Sequence, residues 1–376
     1  MLSTRRVRHD HVSASLTARD DDELTALLQA AATSAVGVGG DASLIDVDGI
    51  TVFAKRIPIT DRELAHPHST ANLFDLPTSC QYGMHRLAGP GFGAWRELAA
   101  NITVTEGVLG GESESFALLH HWRVLPGRPP VASEHRDVEA VVAQFGGDPA
   151  VRARFEELAG ASSSLVLFLE YLPDRLADLL NDPVGNAETV EQQLFEAVAF
   201  LRSREVLHMD GHFGNMRADG DRIHLVDLGL ATSPRFDLSD AERAFVARNV
   251  DHDADFAAMR LVNWLVTTVC GVPMPAEVRG GPAARNAYVR RCANGDIPPD
   301  VPAAVAGILA RHAPAAAEMN DFCWRLVDGD IHAQYRARSR AGATLARQEQ
   351  RASSGQCSAA TCAQFGLARP SGWVPH

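Results

Sequence analysis

The stretch from His208 to Gly229 restricts the fold more than any other part of the chain. It reads His208-Met209-Asp210-Gly211-His212-Phe213-Gly214-Asn215 and ends Leu225-Val226-Asp227-Leu228-Gly229. Between Asn215 and Asp227 lie two short runs, Asn215-Met216-Arg217 and Arg222-Ile223-His224-Leu225-Val226, with Asp219-Gly220 between them. An Asp-Gly pair in that setting is a strong tight-hairpin signal, because both residues tolerate the backbone angles of a short turn. The hairpin folds the chain back, so the spacing predicts that Asn215 and Asp227 finish side by side. Two oxygen-bearing side chains meeting there can hold a hard cation such as Mg2+, which takes few protein carboxylates and draws its other ligands from phosphates and water. Asp210, at the loop entrance, is left free for another partner. Alone, Asp-x-x-x-x-Asn is also an ordinary polar surface turn; joined to the hairpin and to Asp227-Leu228-Gly229 it reads as a ligand set.

The cation content points the same way. Of 35 basic residues, 34 are arginine and Lys55 is the sole lysine. An ammonium is a compact point charge suited to phosphate oxygens, whereas arginine serves wherever any surface cation will do. Lys55 ends a predicted strand, Thr51 to Ala54, which is one arm of a hairpin turned at Asp48-Gly49. Ahead of it stands a glycine cluster, Gly37, Gly39 and Gly40. Glycines let backbone N–H groups come close to phosphate oxygens, and although such a cluster is more often a plain turn, its place before Lys55 adds weight.

These motifs carry a resemblance. His208-Met209-Asp210 stands where protein kinases have His-Arg-Asp, Asp227-Leu228-Gly229 where they have Asp-Phe-Gly, and Val52-Phe53-Ala54-Lys55 is similar to their Val-Ala-Ile-Lys. Over about residues 35 to 270 the chain resembles the protein-kinase-like superfamily. The loop from Asp210 to Asn215 looks closer to the aminoglycoside phosphotransferase branch, whose version is Asp-Leu-His-Pro-Gly-Asn. The resemblance implies an α+β, bilobal fold. After an extension over 1–34 comes a small β-rich N-lobe over 35–172 with a helical insertion at about 134–158. A larger, mainly helical C-lobe over 173–340 follows, and then a flexible tail over 341–376. It also implies ATP and Mg2+ between the lobes, with the γ-phosphoryl group moving to an acceptor hydroxyl. In that scheme Asp210 orients the hydroxyl and takes its proton, and Asn215 and Asp227 bind the metal. Lys55 holds phosphates and is fixed by Glu97, on the helical segment Ala94 to Ala100; Glu63 follows Lys55 too closely for that role. Gly37, Gly39 and Gly40 form the nucleotide lid, with Ser43 a further candidate. Glu170 and Leu172, after the buried strand Leu165 to Leu169, supply the hinge backbone that faces adenine. Such a set works by positioning and charge neutralisation.

The remaining chain gives further expectations. Residues 1 to 19 read as irregular, and Asp20 to Ala31 as a helix with an acidic first turn. Ser115 to Leu125 reads as a strand, Glu134 to Gln144 and Asp148 to Leu158 as helices that either line an acceptor site or brace the lobes. Glu188 to Arg204 has one apolar face at helical spacing, and Asp253 to Val269 is another helix. Residues 299 to 330 read as two helices split at Pro314, and beyond about 340 the Arg-, Ser-, Ala- and Gly-rich sequence reads as a loosely held tail. Met209 replaces the arginine that in many protein kinases meets a phosphorylated activation loop, and no Ala-Pro-Glu precedes the next helix. Both departures, with His212-Phe213-Gly214, favour a small hydroxyl-bearing molecule as acceptor. A Ser/Thr protein or precursor-peptide kinase is the second reading. A pseudokinase scaffold is the third, and the intact Lys55, Asp210, Asn215 and Asp227 count against it. Asp237, Asp240, Glu242, Asp251, Asp253 and Asp255 crowd the region after Gly229, as a solvated face or as a receiver of amino groups.

The net charge of −12 argues against a nucleic-acid backbone as partner, since phosphate binding needs a basic patch. The six cysteines lack Cys-x-x-Cys spacing, so neither a zinc site nor a secreted disulfide framework is expected. Arg5, Arg6 and Arg8 are followed by polar sequence rather than the apolar core of a secretory signal, and the most apolar run, Leu261 to Met274, is too short to cross a bilayer. A cytoplasmic location without membrane partners is the expectation.

Overall fold

The chain enters through two helices, α1 (Leu2–Thr17) and α2 (Asp21–Ala30). Residues 1 to 19 are thus largely helical, not irregular, in this computed structural model, which describes residues 2–31, 33–37, 40–129, 136–173, 175–272 and 282–335. The reason is tertiary. The apolar content of α1 is slight, but Val12 and Leu16, one turn apart, are fully buried, and Arg5 pairs with Glu170 at 2.6 Å. Packing of this kind, more than propensity, stabilises short helices. In α2 Asp20 and Glu23 form a reciprocal capping box, as its acidic start predicts.

Strands β1 (Thr33–Gly37), β2 (Gly40–Val47) and β3 (Ile50–Ile59) follow as consecutive hairpins. Asp48 and Gly49 take φ of 53° and 82°, as a two-residue hairpin turn requires. Helices α3 (Asp61–Ala65) and α4 (Ala94–Leu109) precede β4 (Leu119–Pro126); α5 (Val138–Gln144) and α6 (Pro149–Gly160) precede β5 (Ser163–Glu170). The strand read as Ser115 to Leu125 begins later than expected, and Lys55 lies in mid-strand, because Arg56 to Ile59 continue the ladder against Val166 to Ser163. The sheet is antiparallel throughout, in the order β1-β2-β3-β5-β4. Strand alternation sends Val52 and Ala54 to the face covered by Val12, Leu16 and Leu24. It sends Ile57 and Ile59 to the face covered by Trp95 and Leu98 of α4, and Lys55 shares that second face.

The rest is mainly helical: α7 (Leu176–Leu180), α8 (Ala187–Ser203), the hairpin β6 (Met216–Asp219) and β7 (Arg222–Leu225), then α9 (Asp240–Arg248), α10 (His252–Thr268), α11 (Ala283–Ala293) and α12 (Ala303–Val327). The fold is therefore α+β. Leu194, Leu201, Leu261, Leu265, Ile308 and Leu309 join one core across α8, α10 and α12. Residues 299 to 330 do not split into two helices. Pro314 sits inside the continuous α12; it lacks the N–H that would reach the Ala310 carbonyl, but Ala313, Ala316 and Met319 are buried on both sides of it. Among the described residues no helix is long and apolar enough to cross a membrane. Gly39, Glu134 and the tail over 341–376 lie outside the described residues.

The segment between β4 and β5 braces the sheet. Arg154 of α6 forms a two-pronged pair with Glu63 of α3 at 2.8 and 3.1 Å, with side chains 3% and 1% exposed. Glu63 also accepts the Ala94 N–H at 2.8 Å, closing the start of α4. Arg154 outweighs the penalty of burial and keeps the Glu63 carboxyl below its ordinary range. Removing one member of such a pair leaves a buried charge alone, so Glu63→Gln is expected to lower the unfolding free energy by about 3–5 kcal/mol. Urea melts check this, and an unchanged midpoint would refute the bracing role.

Candidate active site

Gly93 ends a long loop and α4 begins at Ala94, which places Glu97 in the first turn, under the sheet face that carries Lys55. The Lys55 Nζ donates to Glu97 Oε1 at 2.7 Å and to Asp227 Oδ1 at 2.8 Å. Three residues remote in sequence thus meet at one ammonium. Burial opposes the charge on Lys55, but the two carboxylates outweigh it and raise its pKa. Asp227 is pushed down to about 2, Lys55 prevailing over burial, while burial and the Asp227 charge raise Glu97. The Asp227 side chain is 44% exposed, on the cleft.

The β6–β7 hairpin closes through Gly220 at φ 58°, with Asp219 opposite Arg222. At its base the Val226 N–H donates to the Asn215 carbonyl at 2.9 Å, so the two candidate ligands sit at the two ends of one hairpin. Asp227 itself holds a φ of 64°, a strained backbone of the sort that collects at functional sites. The Asn215 amide donates to the Asp210 carbonyl at 2.9 Å and to Asp210 Oδ2 at 3.1 Å. Asn215 Oδ1 and Asp227 Oδ2 carry no hydrogen bond among the described residues.

Asp210 is the most perturbed carboxyl here, raised to about 7 by burial and then by the Asp227 charge. Its Oδ1 is buried without a hydrogen-bond partner. Gly83 covers it: a Cβ on Gly83 would fall 2.1 Å from that oxygen. Neighbours anchor this cover, Gln81 to the Leu230 carbonyl at 2.5 Å and the Tyr82 hydroxyl to Asn249 Oδ1 at 3.0 Å. Burial and the charge of Arg260 lower His212 to about 4, so it is neutral at pH 7.

Lys55, Glu97, Asp210, Asn215, Asp227 and Leu172 line one cleft of about 680 Å³, within the range of small-molecule sites. Gly40 also lines it, at φ 121°, where a Cβ would fall 1.8 Å from the Arg56 carbonyl; its lack of a side chain is demanded by the neighbouring strand. Gly37 pairs opposite Gly40. Ser43 does not line the cleft: Ala42 and Leu44 do, and Ser43 points to the other face of the strand. The Glu170 backbone N–H donates to the Leu118 carbonyl at 2.8 Å, while its carboxylate is turned onto Arg5.

Several contributors escape a reading by motif. Asp253, at the start of α10, accepts the N–H groups of His208 at 2.6 Å and Met209 at 3.0 Å, shaping the loop that presents Asp210. Only its position at a helix start hints at this. Its acidic neighbours also have partners: Glu242 pairs with Arg96, Asp251 with Arg202 and Asp255 with the Tyr335 hydroxyl, while Asp240 meets Arg243 on the surface. Glu242 is thus buried in a pair and not part of a solvated face, whereas Asp237 and Asp240 are exposed. Gly83 carries no sequence signal at all.

No protein-family model matches the sequence, and no curated protein matches it.

Adding a methyl against a packed group typically costs about 1–3 kcal/mol, so Gly83→Ala is expected to destabilise by that order. If Asp210 is the obstacle, the same change in an Asp210→Ala background costs much less, a coupling that a double-mutant cycle of melts detects; strict additivity would sink the contact.

Proposed function

We propose that this protein is an ATP-dependent phosphotransferase of protein-kinase-like type that moves the γ-phosphoryl group to a hydroxyl of a small molecule. One observation carries the reading: Lys55, held by Glu97 and Asp227, faces the same cleft as the hydrogen-bonded pair Asp210 and Asn215. In this reading the five-stranded sheet with α4 is the N-lobe, the helices from α7 onward are the C-lobe, and the nucleotide lies between. The Leu172 backbone meets adenine, and Lys55 holds the α- and β-phosphates, for which its ionised state suits it.

Mg2+ fits the donor set. Asp227 is ionised and accessible, and Asn215 offers its amide oxygen, since its nitrogen is spent on Asp210. A magnesium ion needs only one or two protein carboxylates beside the phosphates. When bound it supplies neutralisation of the charge on the transferring group. Asp210 orients the acceptor hydroxyl and takes its proton at Oδ2, and it does so only as the carboxylate.

The choice of a small acceptor rests on Gly83. Its backbone lies against Asp210, which leaves little room for an extended peptide beside the carboxylate.

Asp210→Asn is expected to reduce phosphoryl transfer by roughly 10²–10⁴-fold, the span of a general base, while Mg2+-ATP still raises the melting temperature. Near-full turnover in that variant would rule out the assignment. A second expectation follows from the raised pKa. Asp210 is ionised above about pH 7 and protonated below it, so kcat/KM of the wild type, which follows the free protein's pKa, rises with pH through that value. A profile flat from pH 6 to 8 contradicts the role.

A further inference from the structure

Helix α10 presents one stripe to the catalytic loop. Asp253 binds the backbone of His208 and Met209, and two turns on, the Arg260 guanidinium lies 5.4 Å over the Phe213 ring. Trp264 meets the same ring edge-on at 6.4 Å. Phe213 lies between Asp210 and Asn215 in the chain, so Arg260 packs against the loop that carries Asp210, within electrostatic reach of Asp210 and of His212, which line the cleft. Arg285, in the first turn of α11, is 8% exposed and within reach of Arg260; burial and then that like charge lower it to about 10.

Buried arginines are ordinarily paired. Arg96 and Arg154 are, with Glu242 and Glu63. Arg260 and Arg285 form no ion pair among the described residues, and the Nε of each is buried without a hydrogen-bond partner. The first turn of α11 has no side-chain cap, so its N–H groups add to the same positive field. Two like charges held in one neighbourhood, with no ion-pair partner among the described residues, make a receiver for an anion. Of the carboxylates that would suit an amino sugar, Glu242, Asp251 and Asp255 are meanwhile engaged elsewhere.

We propose that Arg260 and Arg285 bind an anionic group of the acceptor, a carboxylate or a phosphate, so that the substrate is a hydroxyl-bearing anion rather than an amino sugar. This rests on the phosphotransferase reading for its functional sense, but binding can be tested without it.

Calorimetry on the full chain without nucleotide would titrate inorganic phosphate, glycerate and glucosamine. At least one anion is expected to bind, phosphate pointing to phosphate esters and glycerate to hydroxy acids, and glucosamine is not. Arg285→Leu and Arg260→Gln are each expected to weaken anion binding by roughly tenfold or more, as loss of a charged hydrogen bond does. Lys55→Met is expected to retain it, which separates this site from one for nucleotide phosphates. The inference is overturned if neither anion binds, if glucosamine binds more tightly, or if Lys55→Met alone abolishes binding. Circular dichroism melts check each variant; if one unfolds the other carries the test, and if both do, the wild-type ranking of the three probes decides. Failure of the phosphotransferase reading looks different: Mg2+-ATP leaves the melting temperature unchanged while the anion titration proceeds as before.

Discussion

The Lys55 ammonium lies between the carboxylates of Glu97 and Asp227, and the geometry of the cleft follows from that contact. A buried lysine is costly in a low-dielectric interior unless opposite charge is close and hydrogen-bonded. Here two carboxylates lie within 2.8 Å of it. The contact ties a central strand, the first turn of α4 and the end of the β6–β7 hairpin to a single point. It also separates the behaviour of two neighbouring acids. Asp227, beside the ammonium, is pushed down to about 2. Asp210, which has burial and the Asp227 charge against it, is raised to about 7. Environments that drive two carboxyls apart in this way allow one to ligate or repel charge while the other exchanges a proton.

Around that point the molecule is held by buried charge pairs more than by chain-local preference. Glu63 and Arg154 join α3, the start of α4 and α6. Arg96 and Glu242 join α4 to α9. Arg5 reaches from α1 to Glu170 and to the carbonyls of Glu114 and Phe116, so the first helix supports the strand end that leads into the cleft. Each of these pairs links segments far apart in the chain, and each positions a part of the cleft wall. Arg260 and Arg285 differ from them in having no such partner among the described residues, and this contrast is what directs attention to the acceptor.

Much of this was legible in the chain itself. The sole lysine, the Asp-Gly turns and the Asp210, Asn215 and Asp227 spacing located residues that do converge on one cleft. Helix starts with acidic caps were readable at Asp20, and the apolar period of α8 predicted its span within a residue or so at each end. The failures share a cause. Residues 1 to 19 gave no strong periodicity because their stability comes from Arg5, Val12 and Leu16 meeting the sheet. Pro314 looked like a break because a local rule weighs one missing hydrogen bond and not the buried alanines on both sides of it. Ser43 was put near the nucleotide by neighbourhood in sequence, but strand alternation turns it away.

Sequence alone therefore determined the chemical inventory: which side chains can carry positive charge on a compact head, which carboxylates sit at hairpin ends, and where turns must fall. These depend on residue type and short spacing, which the chain states directly. Only the tertiary structure decided that Glu97 reaches Lys55, that Asp253 shapes the loop carrying Asp210, that Gly83 lies on Asp210, and that two arginines have no ion-pair partner among the described residues. Those outcomes depend on which distant segments are brought within about 3–5 Å, where charge and hydrogen bonding act strongly, and no local pattern encodes such distances.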